Sequence, residues 1–224
     1  MTMLAEFEET GRLWLRRLFS KEDLQTFAAS FDSGSKPGIR LQLTEALRPL
    51  LGNGSNVANE LFKLGDSPSL VRLIAFDKSG DTNWGVPWHQ DRVIAVKQRS
   101  DVIGYDNWIR KSDFWHCEPP IDLLSEMLFV RIHIDPCDAS NGAMEIALGS
   151  HKHGFIKSSD ASSLANACPL EVCEAEAGDV LILKALILHR SGVAAQPSRR
   201  RTLRVDYAKR DDLHRELQWA ITDA

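Results

Sequence analysis

The 224-residue chain predicts a mainly β fold, a β-sandwich or jelly roll, with helices gathered at its N-terminal end. Three observations carry this expectation. From about residue 70 short apolar runs of β character follow one another: "LVRLIAF", "RVIAV", "MLFVRIHID", "AMEIAL", "LEVCEA", "DVLILKALILH" and "RTLRVDYA". Turn-forming clusters such as "DKSGDTN", "DASNG" and "EAGD" separate most of them. No long helical pattern intervenes between the runs, as it would in alternating βαβ units.

Taken in order, residues 1–65 read as helical. Leu13, Leu15, Leu18 and Phe19 supply an apolar helix face, and Ser20 with Asp23 forms a capping pattern that opens a helix through Phe31. "LTEALRPLLG" and "SNVANELFKLG" predict two further helices, each closed by glycine. Residues 70–208 form the β core. The aromatic-rich, irregular segment 101–126 breaks its rhythm and reads as a lid-like insertion. With no internal repeat, low-complexity run or Pro/Gly linker, residues 1–224 read as one domain.

Composition narrows the function. Apolar content of 43% and charged content of 26% are ordinary for a soluble globular protein. A formal charge of −4 argues against a general nucleic-acid binder. No apolar run approaches the roughly 18 residues of a membrane span, and the N-terminus lacks a signal-peptide core. The expectation is a cytoplasmic monomer or homodimer with neither nucleic acid nor membrane as partner. Cys117, Cys137, Cys168 and Cys173 form no C-x-x-C pair and read as free thiols.

The chemistry-bearing pattern is H-x-D, which occurs twice, in "VPWHQDRVIAV" (His89, Asp91) and in "RIHID" (His133, Asp135). On a strand, residues i and i+2 project to one side, so either copy could offer an imidazole and a carboxylate to one metal ion. Two histidines and one carboxylate on one face of the metal are what a non-haem iron(II) oxygenase needs. His189, at the end of the apolar run "GDVLILKALILH" and followed by polar "RSG", is the best third ligand. Local patterns lean toward the first copy without deciding between the two. In "PSRRRTLRVDYA" a strand would set Arg200, Thr202, Arg204 and Asp206 on one face and Arg201, Leu203, Val205 and Tyr207 on the other. A polar row inside a barrel suits a charged ligand, and arginine suits a carboxylate.

The ordered set "NWGVPWHQD", "RIHID…NGAMEIALGSHKHG", "GDVLILKALILHRS" and the later arginine resembles the phytanoyl-CoA dioxygenase family. The resemblance spans roughly residues 70–208. It implies a double-stranded β-helix, a cupin-like jelly roll with the N-terminal helices packed outside, and an oxygenase that uses Fe(II), 2-oxoglutarate and O2. It places the metal ligands at His89, Asp91 and His189. It puts the 2-oxoglutarate arginine at Arg200 and a second donor to the same carboxylate at Ser191. "RIHID" then falls on a pocket-lining strand, so His133 and Asp135 are not iron ligands. The family often carries an aromatic residue where this chain has Arg131, which becomes a cosubstrate or substrate contact; Lys78 is a further cosubstrate candidate. His151 and His153 fall on the family's glycine-serine-histidine turn.

The implied reaction is oxidation, most simply hydroxylation, of a small molecule with release of succinate and CO2. Related halogenases lack the carboxylate ligand, so Asp91 favours hydroxylation; desaturation, epoxidation and ring chemistry stay open. In the insertion, Tyr105, Trp108, Phe114 and Trp115 are a candidate apolar wall for the substrate, and Arg110, Lys111 and His116 candidate contacts for an acidic group. Gln90 and His133 complete the substrate candidates. Two rivals remain: a cupin-like metalloenzyme without 2-oxoglutarate, and a non-catalytic jelly-roll binding protein.

Overall fold

The apolar runs of the second half become the strands of an antiparallel jelly roll in a computed structural model. It describes residues 2–31, 38–65, 69–78, 83–111, 113–196 and 198–222. Among these, and numbered in chain order, the larger sheet runs β1 (Arg12–Leu15), β11 (Val180–Lys184), β8 (Leu128–His133), β13 (Arg200–Ala208), β3 (Ser69–Lys78), β2 (Ile39–Leu41). The second sheet runs β10 (Leu170–Val172), β9 (Met144–Ala147), β12 (His189–Ser191), β4 (Val86–His89). A third runs β5 (Ile94–Val96), β7 (Phe114–Glu118), β6 (Asp106–Lys111).

The alternation expected at the end of the chain is what positions the site. On β13, Leu203, Val205 and Tyr207 face outward into a cluster with Phe7, Phe27, Leu51 and Leu61 of the N-terminal part. Full burial of one such apolar side chain is worth about 1.5–3 kcal/mol. The Tyr207 hydroxyl donates to Leu51 O at 2.7 Å, so its polar tip is satisfied. The opposite row, Arg200, Thr202, Arg204 and Asp206, is also buried and faces the interior. A second cluster fills the space between the two large sheets, with Val71, Phe129, Met144, Ile146, Leu181 and Leu183 among its members.

The N-terminal part departs from the expected run of helices. Helix α1 (Met3–Thr10) stops at Gly11 with φ 77°, and residues 12–15 are then a strand. Leu13 and Leu15 do not belong to a helix face. They pair with Ile182 and Val180 and cover what would otherwise be an open edge of β11. The Ser20–Asp23 capping box is present and opens α2, which ends at Ala28 rather than Phe31. α3 (Arg48–Leu51) ends on Gly52 and α4 (Asn56–Phe62) is followed by Gly65 at φ 91°. In the "EAGD" turn Gly178 is obligatory: φ is 92° and a Cβ would lie 2.6 Å from Phe19 O.

Segment 101–126 is not irregular. It forms the β6–β7 hairpin followed by α5 (Ile121–Glu126). Tyr105, Cys117, Leu123 and Leu124 are buried in the inter-sheet cluster, with Trp108 and Trp115 packed against it. Of the "DKSGDTN" turn, residues 79–82 lie outside the described residues. All four cysteines are free, and no helix among the described residues is long and apolar enough to cross a membrane.

Candidate metal centre

His89 ends β4 and His189 begins β12. These strands pair antiparallel with the two histidines directly opposite each other. The register brings their ring centroids to 4.3 Å. Each ring is oriented by a carbonyl two residues back, His89 Nδ1 on Pro87 O at 2.8 Å and His189 Nδ1 on Ile187 O at 3.0 Å. A proton held at Nδ1 by these carbonyls leaves each Nε2 with a free lone pair, the form that ligates a metal. Asp91 follows the end of β4, with Oδ2 3.3 Å from His189 Nε2. One ligand atom from each of His89, Asp91 and His189 lies within 4.8 Å of the others. Two imidazole lone pairs and a carboxylate oxygen that converge in this way call for a cation among them. Nitrogen and oxygen donors in this number suit a divalent first-row transition metal.

Electrostatics keep His89 and Asp91 in their ligating forms. Burial, and then the neighbouring His189 ring, hold His89 below the ordinary histidine value and so neutral. Burial alone would raise the Asp91 carboxyl. The Arg204 guanidinium and the histidine outweigh it and hold Asp91 well below the usual carboxylate range. Arg204 Nη1 donates to Asp91 Oδ2, while its Nε donates to Asp206 Oδ1 at 2.6 Å. Arg72 completes the network on Asp206. Two guanidinium groups and two carboxylates thus balance one another behind the histidines. Arg204 was legible only as a polar inward residue of β13; its contact with Asp91 depends on how β4 crosses the larger sheet.

The histidines and Asp91 open into a cavity of about 160 Å³. Phe76, Trp84, Val86 and Met144 supply its apolar lining, and Lys78, Arg131, Arg190, Arg200 and Arg204 its cations, of which Arg190 is paired with Glu145. Ser191 lines it as well, next but one to His189 on β12. Asp91 is the sole carboxylate among the described lining residues. The cavity therefore joins a cluster that could hold a metal ion to a wall of positive charge.

The other sequence candidates are held elsewhere. Asp135 is gripped by Arg201 through two parallel bonds of 2.7 and 2.8 Å and accepts the Arg201 backbone N–H. His133 is buried beside Trp14, its ring nitrogens without hydrogen-bond partners, and burial followed by Arg131 pushes it down to about 3. Gln90 is a brace: its amide donates to Gly154 O and Leu186 O and accepts from Ile156 N–H. No described residue of 101–126 lines the cavity, because the hairpin's aromatic residues pack into the core instead. Trp108 donates to Tyr105 O, Trp115 stacks edge-on against Trp108, and His116 is fully buried on β7. The 151–153 turn also lies away from the cavity, with His151 Nε2 beside Glu8 O.

Comparison with known proteins agrees with this geometry. A model of the phytanoyl-CoA dioxygenase (PhyH) family matches residues 7–202. No curated protein sequence matches the chain. Among solved structures, EctD from S. alaskensis with 2-oxoglutarate and 5-hydroxyectoine is similar with a TM-score of 0.67 at 16% identity, covering 93% of this chain and 75% of that one. HygX from Streptomyces hygroscopicus with nickel and 2-oxoglutarate gives 0.62 at 14% identity, covering 92% and 85%. SnoN, a non-heme α-ketoglutarate-dependent epimerase from nogalamycin biosynthesis, gives 0.65 at 12% identity, covering 93% and 81%. At these identities the likeness is one of fold.

Proposed function

The chain belongs to the phytanoyl-CoA dioxygenase family, and on that premise we propose that it is an Fe(II)- and 2-oxoglutarate-dependent oxygenase that hydroxylates a small molecule. The observation that carries this reading is the meeting, in one cavity, of a His–Asp–His cluster and a wall of cations. The donor set fits iron, and the buried guanidinium of Arg200 fits a carboxylate. Iron(II) with 2-oxoglutarate, when bound, supplies the activation of O2, with 2-oxoglutarate leaving as succinate and CO2.

The chain's own residues do the rest. His89, Asp91 and His189 would hold the metal at the edge of the cavity. Pro87 O and Ile187 O fix the two rings, and Arg204 fixes the carboxylate, so the ligand geometry is set before anything binds. Arg200 receives the far carboxylate of the cosubstrate, with the Ser191 hydroxyl as a second donor. Phe76, Trp84, Val86 and Met144 keep water away from the reacting groups. Asp91 would supply the carboxylate ligand that related halogenases lack, which supports oxygen insertion over halogenation.

The fold also hosts other outcomes, as the epimerase SnoN and the carbocyclase SnoK show for themselves. Product mass separates them: hydroxylation adds one oxygen atom, epimerisation none. A direct test is anaerobic addition of Fe(II) and 2-oxoglutarate to the purified protein. A visible charge-transfer band is expected, and it should vanish in His189→Ala. No band at saturation in the wild type would remove 2-oxoglutarate from the reading and favour a metalloenzyme that works without it.

A further inference from the structure

The inward face of the larger sheet sets like charges opposite each other twice. Arg200 is the register partner of Lys78, and Arg204 that of Arg131. Like charges directly opposite on a sheet are destabilising, so each pair needs an anion. For Arg204 the protein provides its own, Asp91 and Asp206, and the equally buried Arg72 shares Asp206. No ion pair of this kind is made by Arg131, Arg200 or Lys78 within the described residues. The Nε atoms of Arg131 and Arg200 are buried without an acceptor. Arg131 has the Phe76 ring 5.6 Å away, Arg200 has the weak acceptor Cys137 Sγ at 3.9 Å, and Lys78 has Gly192 O at 2.7 Å and the Trp84 ring 5.5 Å away, but none of the three has a carboxylate. All three line the same cavity.

Buried arginines that serve packing in this protein are given carboxylates, as Arg72 and Arg204 are. Buried cations without one mark the place of an external anion. One carboxylate on Arg200 alone would leave Arg131 and Lys78 still unmatched.

We propose that Arg131 and Lys78 join Arg200 in a three-cation nest for the far carboxylate of the cosubstrate, which makes an acidic terminus a strict requirement for binding. The proposal rests on 2-oxoglutarate as cosubstrate. It assigns a specificity role to a position where the family often carries an aromatic residue.

The test is calorimetric binding to the Ni(II)-loaded protein, which needs no turnover. Two probes are used: 2-oxoglutarate, and 2-oxopentanoate, the five-carbon 2-oxo acid without the far carboxylate. The wild type should bind 2-oxoglutarate at least about a hundredfold more tightly. Arg131→Met and Lys78→Met should each weaken 2-oxoglutarate at least about tenfold, the effect of one lost charge-assisted hydrogen bond. Both variants should leave 2-oxopentanoate within about threefold of wild type, so that the preference collapses. Arg131→Lys, which keeps the charge without the fork, should recover part of it. Unchanged 2-oxoglutarate affinity in both variants overturns the proposal, and so does a parallel loss of both acids, which would mean a distorted metal site. Failure of the wild type to bind 2-oxoglutarate is a separate result, visible before any variant is made, and it refutes the cosubstrate reading itself.

Discussion

Arg131→Met should make the ligand-free protein more stable. Arg131 is a half-buried residue whose Nε is buried and whose guanidinium lines the cavity, with no carboxylate within bonding distance. Burial, and then the charges of Arg200 and Arg204, push it down from the ordinary arginine value to about 10. That depression corresponds to roughly 3 kcal/mol held against the charged form in the folded state. Arginine remains protonated at pH 7, so the cost is present there in full. Methionine places an apolar chain of similar length in the same slot and removes the charge. The lost cation–π contact with Phe76 takes back about 1 kcal/mol. The net gain is about 2 kcal/mol, which for a chain of this size raises Tm by roughly 4–8 °C. The assay is thermal unfolding of metal-free protein at pH 7 in a buffer without phosphate, sulfate or carboxylate. A lower Tm for Arg131→Met would refute the reasoning, since it would show that the guanidinium is satisfied from within the fold.

Other outcomes follow from the same contacts. Asp91→Ala should abolish turnover and weaken Fe(II) binding. Asp135→Ala should leave metal binding intact but cost about 1–3 kcal/mol, because it strands Arg201; exchanged results in metal titration and urea unfolding would reverse the assignment of the two H-x-D copies. Gln90→Leu should destabilise by about 3 kcal/mol or more in urea, since Gly154 O, Leu186 O and Ile156 N–H all lose their partner. A loss below about 1 kcal/mol would show that water replaces the brace. His133 and His116 are pushed down to about 3 and about 4, in each case first by burial, and so stay neutral in the native state. The unfolded chain takes up their protons near the ordinary histidine value of about 6.5. Their contribution is therefore intact above pH 6.5 and is lost as pH falls toward 4, at about 3 kcal/mol per pH unit for the pair. The urea midpoint followed from pH 7.5 to 4.5 should fall steeply in the wild type and flatten in His116→Phe/His133→Phe; parallel curves would refute this.

The sequence by itself determined the parts of this protein that depend on neighbours along the chain. The strand runs from residue 70 onward, the capping box at Ser20 and the two-faced alternation of β13 are local patterns, and the fold uses them as read. The residue types of the site were legible for the same reason: H-x-D before an apolar run, a histidine at the end of another, an arginine on a polar row. Local reading failed where a short segment's partner decided its state. Residues 12–15 hold too few alternations to outweigh a helical reading, and they are a strand because β11 has an edge to be covered. The aromatic residues of 106–118 look like a substrate wall in sequence, yet their rings have a core to fill.

Tertiary structure alone decided which polar residues meet. Local patterns only lean toward "HQD" over "HID", and the family resemblance chooses it; the contacts themselves come from the pairing of β12 with β4, which sets His189 opposite His89, while Asp135 lies within reach of Arg201. Arg204 reaches Asp91, and Arg131 reaches the Phe76 ring and the cavity but no carboxylate, by the same kind of register. The physical reason is that a metal ligand or an ion pair acts over a few ångströms, and in a jelly roll those distances are set by strand pairing between segments far apart in the chain.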